Sequence, residues 1–426
     1  MSCVLISFLG TGPNHGHKRG EYMHAKYRFP KTGHEYESPF VADVLCQEYK
    51  VDKLLLVGTM HSIWDGVYDY FTQKAGKEPD LQVWEAIYSQ CQQANHASEV
   101  GKIIHHDKLE QALGKGSKAV TIHYGITADE IERNSAIILA LEQYMQQGDE
   151  LIIDITHSFR SLPMYIMNLL MYLQHVSEKK LKIKHICYGM LDVAKELSFA
   201  PIVELKNILQ VNDWISGAYS FKQFGNADKI AELVKPFNEA LSQDLSAFSD
   251  VKNLNHLAEL ERQSLKLGKL LESNDLPLLA QQIIPPVIND FVRRLTVDTN
   301  TPHRHSKFQS KLARWQFNNH NYLAAYISIL EAIITYLAEE YSDRIGIDID
   351  VYDKDEREEI KNKIKNRGEI SINHQWKTLY KEVSSKRNML AHNIRRETQR
   401  GNKSVAEHFI HSLRDFLGRY DQLCQQ

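Results

Sequence analysis

The 426-residue sequence is poor in cysteine and has almost no charge imbalance. Its five cysteines (Cys3, Cys46, Cys91, Cys187 and Cys424) are scattered and form no CxxC pair, which argues against a zinc cage or a disulfide framework. Lys and Arg number 51 against 54 Asp and Glu, which excludes a generally basic nucleic-acid coat but not a local basic site. No apolar run approaches the roughly 20 residues that span a bilayer, and the N-terminus lacks the features of a signal peptide. We therefore expect a cytoplasmic protein without membrane contact.

Several short motifs of known enzyme classes are also missing. The twenty histidines include pairs such as His303 and His305, but no HExxH occurs and no cysteine accompanies them, so we expect no metal site. The absence of GxGxxG and GxxxxGK[ST] argues against a dinucleotide-dependent dehydrogenase and a P-loop ATPase.

The sequence pattern changes near residue 200. Before it, continuous apolar runs alternate with helical patterns, as in a parallel sheet that is covered on both faces. The runs are Val4–Leu9, Lys53–Val57, Glu150–Ile155 and Lys182–Tyr188. The helical patterns are Ser38–Tyr49, Ile63–Ala75, Thr127–Gln147 and Pro163–Ser177. We predict an open, Rossmann-like α/β domain with a parallel-rich sheet over residues 1–200.

From about Pro201 the pattern is helical nearly throughout. We predict an all-α linker over 201–300 and an all-α domain over 301–426. Residues 300–302 look like a break before the last block, and the charged stretch 348–367 should be a solvated helix or loop.

Polar loops follow three of the predicted strands, and ligands of open α/β sheets bind at such carboxyl ends. Glycine lets backbone amides approach a phosphate, and a guanidinium such as that of Arg160 binds anions. Each loop alone is weak evidence for a ligand-binding site, because Ser and Thr also cap helices. Together the three loops favour a nucleotide or another phosphate-bearing ligand. The candidate ligand-binding residues are Gly10, Thr11, Gly12, Thr59, His61, Thr156, His157, Ser158, Phe159 and Arg160.

The third loop resembles a known motif. Its sequence DITHSFRSLP, at 154–163, is similar to the DxTHG motif of CRISPR-associated proteins with a CARF sensor domain, with Ser158 in place of the motif glycine. The segments SFLGTG, YESPFVADVL and LLVGTMHSIWD resemble the same family, so the resemblance covers roughly residues 1–200. It implies that the loops form a regulatory pocket for a cyclic oligoadenylate, with cyclic tetra-adenylate expected first and cyclic hexa-adenylate second.

A second resemblance lies in the last block. The hexapeptide RNMLAH at 387–392 fits the RxxxxH motif of HEPN ribonucleases, and Ser384 and Ser385 before it are candidate N-caps. The motif is short enough to occur by chance, but here it stands in a helical domain behind a CARF-like one. The chain therefore resembles the accessory CARF–HEPN ribonucleases of type III CRISPR systems over nearly its whole length.

The residues of that motif suit cleavage of single-stranded RNA by its own 2′-hydroxyl, without a metal or cofactor. His392 is suited to proton transfer, Arg387 to the phosphorane oxygens, and Asn388 to orienting either group. Five helix positions separate Arg387 and His392 by about 140°, so one chain makes a poor pocket. The family resemblance implies a homodimer or a higher even-numbered oligomer that brings two copies together, and products with 2′,3′-cyclic phosphate ends.

Two alternatives stay open. The chain could be a non-enzymatic nucleotide sensor that controls a nucleic-acid- or protein-binding helical domain. It could also be a small-molecule enzyme acting at the N-terminal loops alone, which would leave the RxxxxH motif unexplained. Within the first interpretation, Thr156, His157 and Arg160 could also help to degrade the ring ligand.

Overall fold

The computed structural model describes residues 2–12, 19–20, 22–98, 100–157, 161–270, 276–365, 374–391 and 405–425. The chain divides into two compact units, Met1–Gln210 and Val211–Gln426. The boundary near residue 210 lies close to the predicted change of pattern. The further predicted division between 201–300 and 301–426 stays a prediction.

A sheet of eight strands forms the centre of the described part of the first unit. In chain order the strands are β1 Cys3–Leu9, β2 Ala25–Arg28, β3 Glu35–Ser38, β4 Lys53–Thr59, β5 Lys118–Ile122, β6 Glu150–Asp154, β7 Lys182–Gly189 and β8 Ala200–Glu204. Across the sheet their order is β3-β2-β8-β7-β6-β1-β4-β5. The five strands from β7 to β5 are parallel, and Val4 of β1 lies between Lys53 and Leu151. β8 runs antiparallel to β7, β2 runs parallel to β8, and β3 runs antiparallel to β2.

Helices cover both faces of this sheet. They are α1 Val41–Tyr49, α2 Trp64–Lys74, α3 Leu81–Gln93, α4 His106–Leu113, α5 Ala128–Leu139, α6 Leu162–His175 and the short α7 Ala194–Leu197. Because successive side chains of a strand point to opposite faces, Leu5 and Leu9 join one hydrophobic cluster while Val4, Ile6 and Phe8 join the other. The predicted Rossmann-like sheet is therefore confirmed.

The described part of the second unit is helical. Its helices are α8 Asn207–Phe224 (which begins in the first unit), α9 Asp228–Val234, α10 Glu239–Leu254, α11 Leu257–Leu270, α12 Leu278–Leu295, α13 Arg304–Asn318, α14 Tyr322–Ile345, α15 Lys354–Lys365, α16 His374–Ala391 and α17 Val405–Cys424. One core surrounds Phe221, Phe248 and Phe291, whose ring centroids lie 5.2–5.7 Å apart. A second core joins α14, α16 and α17.

Two details of the helical prediction need correction. Ser384 and Ser385 are not N-caps, because α16 begins ten residues before Ser384, at His374. The charged stretch near 348–367 contains α15, but it is not wholly solvated, because Ile360 and Ile364 are 2% and 1% exposed. These two side chains are four residues apart and so share one face of the helix.

One helix in the described residues, α14, is long and apolar enough to cross a bilayer by length and composition alone. Of its most apolar window, 61% is buried inside the second unit. A helix at the centre of a protein core has the same composition, so this is weak support for a membrane span.

Candidate functional site

The strand order of the sheet reverses at β1. From β1 the strands run outward to β4 and β5 on one side and to β6 and β7 on the other. Ligands of open α/β sheets bind in the crevice outside the carboxyl ends of the strands at such a reversal. The loops after β1 and β6 flank this crevice, since a methyl group added at Gly10 would lie 3.9 Å from Cβ of His157.

A cleft of about 480 Å³ occupies this position. Four predicted ligand-binding residues line it, namely Gly10, Thr11, Gly12 and His157. The cleft therefore brings together the first and third predicted loops. Its further lining consists of Leu9, Tyr22, Met23, His24, Ala25, Tyr27, Pro39, Phe40, Ile63 and Leu191.

These additional lining residues include a group that the sequence analysis missed, drawn from the chain between β1 and α1. Tyr22 and Phe40 form a tilted pair with ring centroids 6.3 Å apart, and His24 is exposed beside them. The only signal for this group was that Pro39 and Phe40 belong to the segment YESPFVADVL, whose resemblance already indicated the family. An apolar wall with a few polar groups is typical of small-molecule sites.

The loop after β6 is held from below by a buried carboxylate. Asp154 is fully buried and accepts hydrogen bonds from Ser7 Oγ at 2.5 Å and from the Thr156 amide at 2.9 Å. The Thr156 hydroxyl in turn accepts a hydrogen bond from the Gly189 amide at 2.7 Å, which connects the loop to the end of β7. Thr156 is thus engaged in positioning the loop, and it is not among the residues that line the described cleft.

Burial sets the protonation of the two titratable groups at this loop. It raises the pKa of Asp154 above its usual range, although hydrogen bonds from Ser7 and Thr156 oppose this shift. It also lowers the pKa of His157, although the nearby Asp154 opposes this shift. His157 therefore faces the cleft as a neutral imidazole near pH 7, able to donate one hydrogen bond and accept another.

The second predicted loop contributes differently. The buried Thr59 hydroxyl lies 3.3 Å from Ser62 Oγ, and His61 Nδ1 lies 2.8 Å from the Cys91 carbonyl oxygen on α3. Neither Thr59 nor His61, both described by the structure, lines the cleft, whereas Ile63 from the same loop does. A ligand-binding role for Thr59 and His61 stays a prediction.

Four other predicted site residues lie outside the described residues. They are Ser158, Phe159 and Arg160 of the third loop, and His392 of the RxxxxH motif. Their predicted roles in binding and catalysis stay predictions.

The remaining predicted catalytic residues lie near the end of α16. Arg387 is half-buried and Asn388 is exposed, while Leu379 and Val383 of the same helix lie in the core of the second unit. Arg387 stands seven residues, about two turns, after Tyr380, and its charge partly opposes the rise in the pKa of Tyr380 that burial causes. The guanidinium is thus carried on a helix that the core holds in place.

Comparisons with known proteins find similarity in two parts of the chain. Residues 4–192 match the CARF domain of the CRISPR system endoribonuclease Csx1, and residues 210–301 match the second domain of the CRISPR-associated protein MJ1674. MJ1674 itself, from Methanocaldococcus jannaschii, is 33% identical over 353 residues, which cover 80% of this chain and 54% of that protein. The chain thus spans about half the length of this curated relative.

One solved structure aligns along most of the chain. Enterococcus italicus Csm6 bound to cyclic hexa-2′-fluoro-hexa-dAMP is 12% identical, and the alignment covers 99% of this chain and 95% of that one. The TM-score is 0.36. A value this low supports no conclusion about the present chain.

Proposed function

Because residues 4–192 match the CARF domain of the CRISPR system endoribonuclease Csx1 and the chain is similar to the CRISPR-associated protein MJ1674, we propose that it is a cyclic oligoadenylate-activated, metal-independent endoribonuclease of type III CRISPR defence. The observation that carries this proposal is the placement of its two motifs. The DxTHS loop borders a cleft at the reversal of the sheet, and Arg387 and Asn388 of the RxxxxH motif lie on α16 of a helical unit.

The cleft suits a nucleotide ring. Glycine amides at Gly10 and Gly12 can approach phosphates closely, and the rings of Tyr22 and Phe40 offer apolar surface to adenine bases. A cyclic oligoadenylate has rotational symmetry, so it can lie on the two-fold axis of a homodimer and meet the same loops from both chains. Cyclic tetra-adenylate is the first candidate and cyclic hexa-adenylate the second. The ring activates only if it binds the active state more tightly than the inactive one.

RNA cleavage in this proposal needs no external nucleophile. The 2′-oxygen forms a bond to the adjacent phosphorus and the bond from phosphorus to the 5′-oxygen breaks. A proton leaves the 2′-hydroxyl and a proton reaches the 5′-oxygen, both transfers being suited to imidazole groups such as His392. Arg387 offers its planar guanidinium to the phosphorane oxygens, and the exposed Asn388 amide orients these groups. The products are a 2′,3′-cyclic phosphate and a 5′-hydroxyl.

The test is cleavage of a fluorescent single-stranded RNA in EDTA, with a panel of cyclic oligoadenylates of three to six units. We expect one ring size to switch cleavage on, and DNA of the same sequence to resist because it has no 2′-hydroxyl. Arg387→Ala and His392→Ala should each lower the rate by at least about 100-fold, as loss of a charge-stabilising or proton-transferring group does.

The matched control is Arg344→Ala, which removes an exposed arginine near the end of α14 and should leave cleavage unchanged. Binding of a ring without any cleavage would instead support a non-enzymatic sensor. If no ring binds and no RNA is cleaved, both the ribonuclease and the non-enzymatic sensor are contradicted.

A further inference from the structure

A polar groove of about 520 Å³ lies between α16 and α17 in the second unit. We call it the α16–α17 groove. Side chains that can contact an anion occupy both of its walls: Lys381, Ser385 and Lys386 on α16, and His408, His411 and Ser412 on α17. Most of these side chains are exposed, and none of them belongs to the RxxxxH motif.

The two carboxylates that also line the α16–α17 groove share one guanidinium, which offsets one of their two charges. Arg419 Nη1 lies 2.5 Å from Glu382 and 3.4 Å from Asp415. In the part of the chain that the structure describes, neither Lys381 nor Lys386 forms an ion pair with a carboxylate. The groove and Arg419 together carry three positive charges (Lys381, Lys386 and Arg419) and two negative charges (Glu382 and Asp415), a net charge of +1.

The cationic end of the groove is crowded in a way that an anion would relieve. Lys386 Nζ donates a hydrogen bond to His408 Nε2 and lies 5.1 Å from the centroid of the Phe409 ring. The neighbouring Lys386 ammonium, followed by burial and His411, lowers the pKa of His408, and burial lowers the pKa of Lys386. An anion between these groups would stabilise the charged form of each of them.

We propose that the α16–α17 groove binds the phosphate backbone of the single-stranded RNA substrate through Lys381, Lys386 and His408. This rests on the proposed ribonuclease function and names a binding site beside its catalytic motif. The two lysines are five residues apart on α16, a rise of about 7.5 Å along the helix and a turn of about 140° around it. They therefore enter the groove from different sides of the helix and contact different phosphates. Lys386 precedes Arg387 directly on α16, so the cationic end of the groove lies at the same level of the helix as the predicted catalytic arginine, about 100° away around the helix axis.

The charge pattern favours RNA over a protein partner. Lysines paired with serine hydroxyls and imidazoles are typical of contacts to phosphate and sugar, which position a strand without selecting its sequence. The ion pairs of Arg419 with Glu382 and Asp415 reduce the repulsion that these acids would otherwise exert on a phosphate.

Binding can be measured apart from cleavage. A fluorescent single-stranded RNA carrying 2′-O-methyl groups cannot be cleaved by its own 2′-oxygen, so anisotropy with the full chain and saturating ring reports affinity alone. The double variant Lys381→Gln, Lys386→Gln should weaken binding about tenfold or more near 0.1 M salt and lower the salt slope of log K by about 1.4, since each phosphate contact to a single strand contributes about 0.7. His408→Asn should weaken binding by a smaller factor.

The control is Lys354→Gln, which removes an exposed lysine at the start of α15 outside the groove. If the double variant binds RNA with the same affinity and the same salt slope as this control, the groove proposal is overturned. So would a change in sedimentation coefficient without a change in RNA affinity, because the groove would then be a contact between copies of the chain.

Cleavage of unmodified RNA by the same variants separates this proposal from the proposed function. A raised KM with a kcat close to that of the wild type supports the groove as a binding site for the backbone. Wild-type protein that binds the RNA through Lys381 and Lys386 but never cleaves it would support the groove and contradict the ribonuclease.

Discussion

Gly12 is the residue at which the cleft tolerates least change. Its φ of +73° is in the left-handed region, and a Cβ added there would meet Cδ1 of Ile63 at 2.8 Å. Gly12→Ala should therefore lower the free energy of unfolding of the first unit by about 1–2 kcal/mol and weaken binding of the ring. Thermal denaturation and titration calorimetry measure these two effects.

Gly10 provides the comparison. A Cβ added there would lie 3.9 Å from Cβ of His157, which is an ordinary van der Waals contact. Gly10→Ala should leave the unfolding temperature close to that of the wild type. Equal destabilisation by both variants would mean that strain at residue 12 is not the cause.

An ion pair between the half-buried His305 and the buried Glu261 in the second unit makes stability depend on pH. His305 Nδ1 lies 2.7 Å from Glu261, and this hydrogen bond raises the pKa of His305 even though burial opposes it. Burial opposes ionisation of Glu261 as well, but hydrogen bonds from His305 and Tyr352 outweigh it, so its pKa lies below the usual range.

The two shifts define the pH window in which the pair stabilises the fold. The contribution of His305 is complete below its unfolded pKa near 6.5 and is lost as the pH rises through the higher folded value. The contribution of Glu261 is complete above its unfolded pKa near 4.5 and is lost as the pH falls through the lower folded value. His305→Gln should thus cost about 1 kcal/mol between pH 5 and 6, and less at pH 9. Urea unfolding at both pH values measures this; a cost that grows with pH would contradict it.

Individual site residues were predictable where a loop follows a strand. Gly10, Thr11, Gly12 and His157 line the cleft because the carboxyl ends of β1 and β6 are adjacent in the sheet. Tyr22 and His24 were not predictable in this way, since they come from the segment before β2, and no pattern in the sequence shows where that segment returns to the sheet.

At the scale of elements, α15 shows how a charged sequence can still pack. Arg357 bonds to Glu331 and Thr335 of α14, and Ile360 and Ile364 follow on the same side of the helix. Ile360→Ala should lower the free energy of unfolding by about 2–4 kcal/mol because it leaves a cavity. Asn362→Ala, at an exposed position of the same helix, should change it by no more than about 0.5 kcal/mol. Urea titration followed by tryptophan fluorescence compares the two, and similar effects would mean that this face of α15 is not packed.

The predictability of elements follows from their burial. β1, β4, β6 and β7 were predicted because strands at the centre of a parallel sheet carry continuous apolar runs. β2 and β3 were missed because each has only four residues, of which two are charged and exposed. β2 is held by backbone pairing to β8, which is distant in sequence and places Tyr27 opposite Ala200, and that pairing leaves no local pattern.

At the scale of the whole chain, the first unit has its own hydrophobic clusters on both faces of its sheet. We therefore expect residues 1–210 to fold when produced alone, to bind the cyclic oligoadenylate and to cleave no RNA. Circular dichroism, calorimetry with the ring and the RNA assay test these three statements. An unfolded fragment would contradict the autonomy of the unit, and catalysis by the fragment alone would favour a small-molecule enzyme at the N-terminal loops.

The direction of β8 determines where the chain leaves the sheet. β8 is antiparallel to β7, so the chain runs away from the cleft as it passes Glu204, which lies opposite Cys187 and bonds to His185 Nδ1 and to the Ile186 amide. The sequences of the loops at the cleft can therefore change during evolution, and ligand preference with them, without altering the segment that connects β8 to α8. For the same reason, a chimaera that exchanges the sensor should be spliced just after this anchor, where sequence changes selected for recognition have no cause to accumulate.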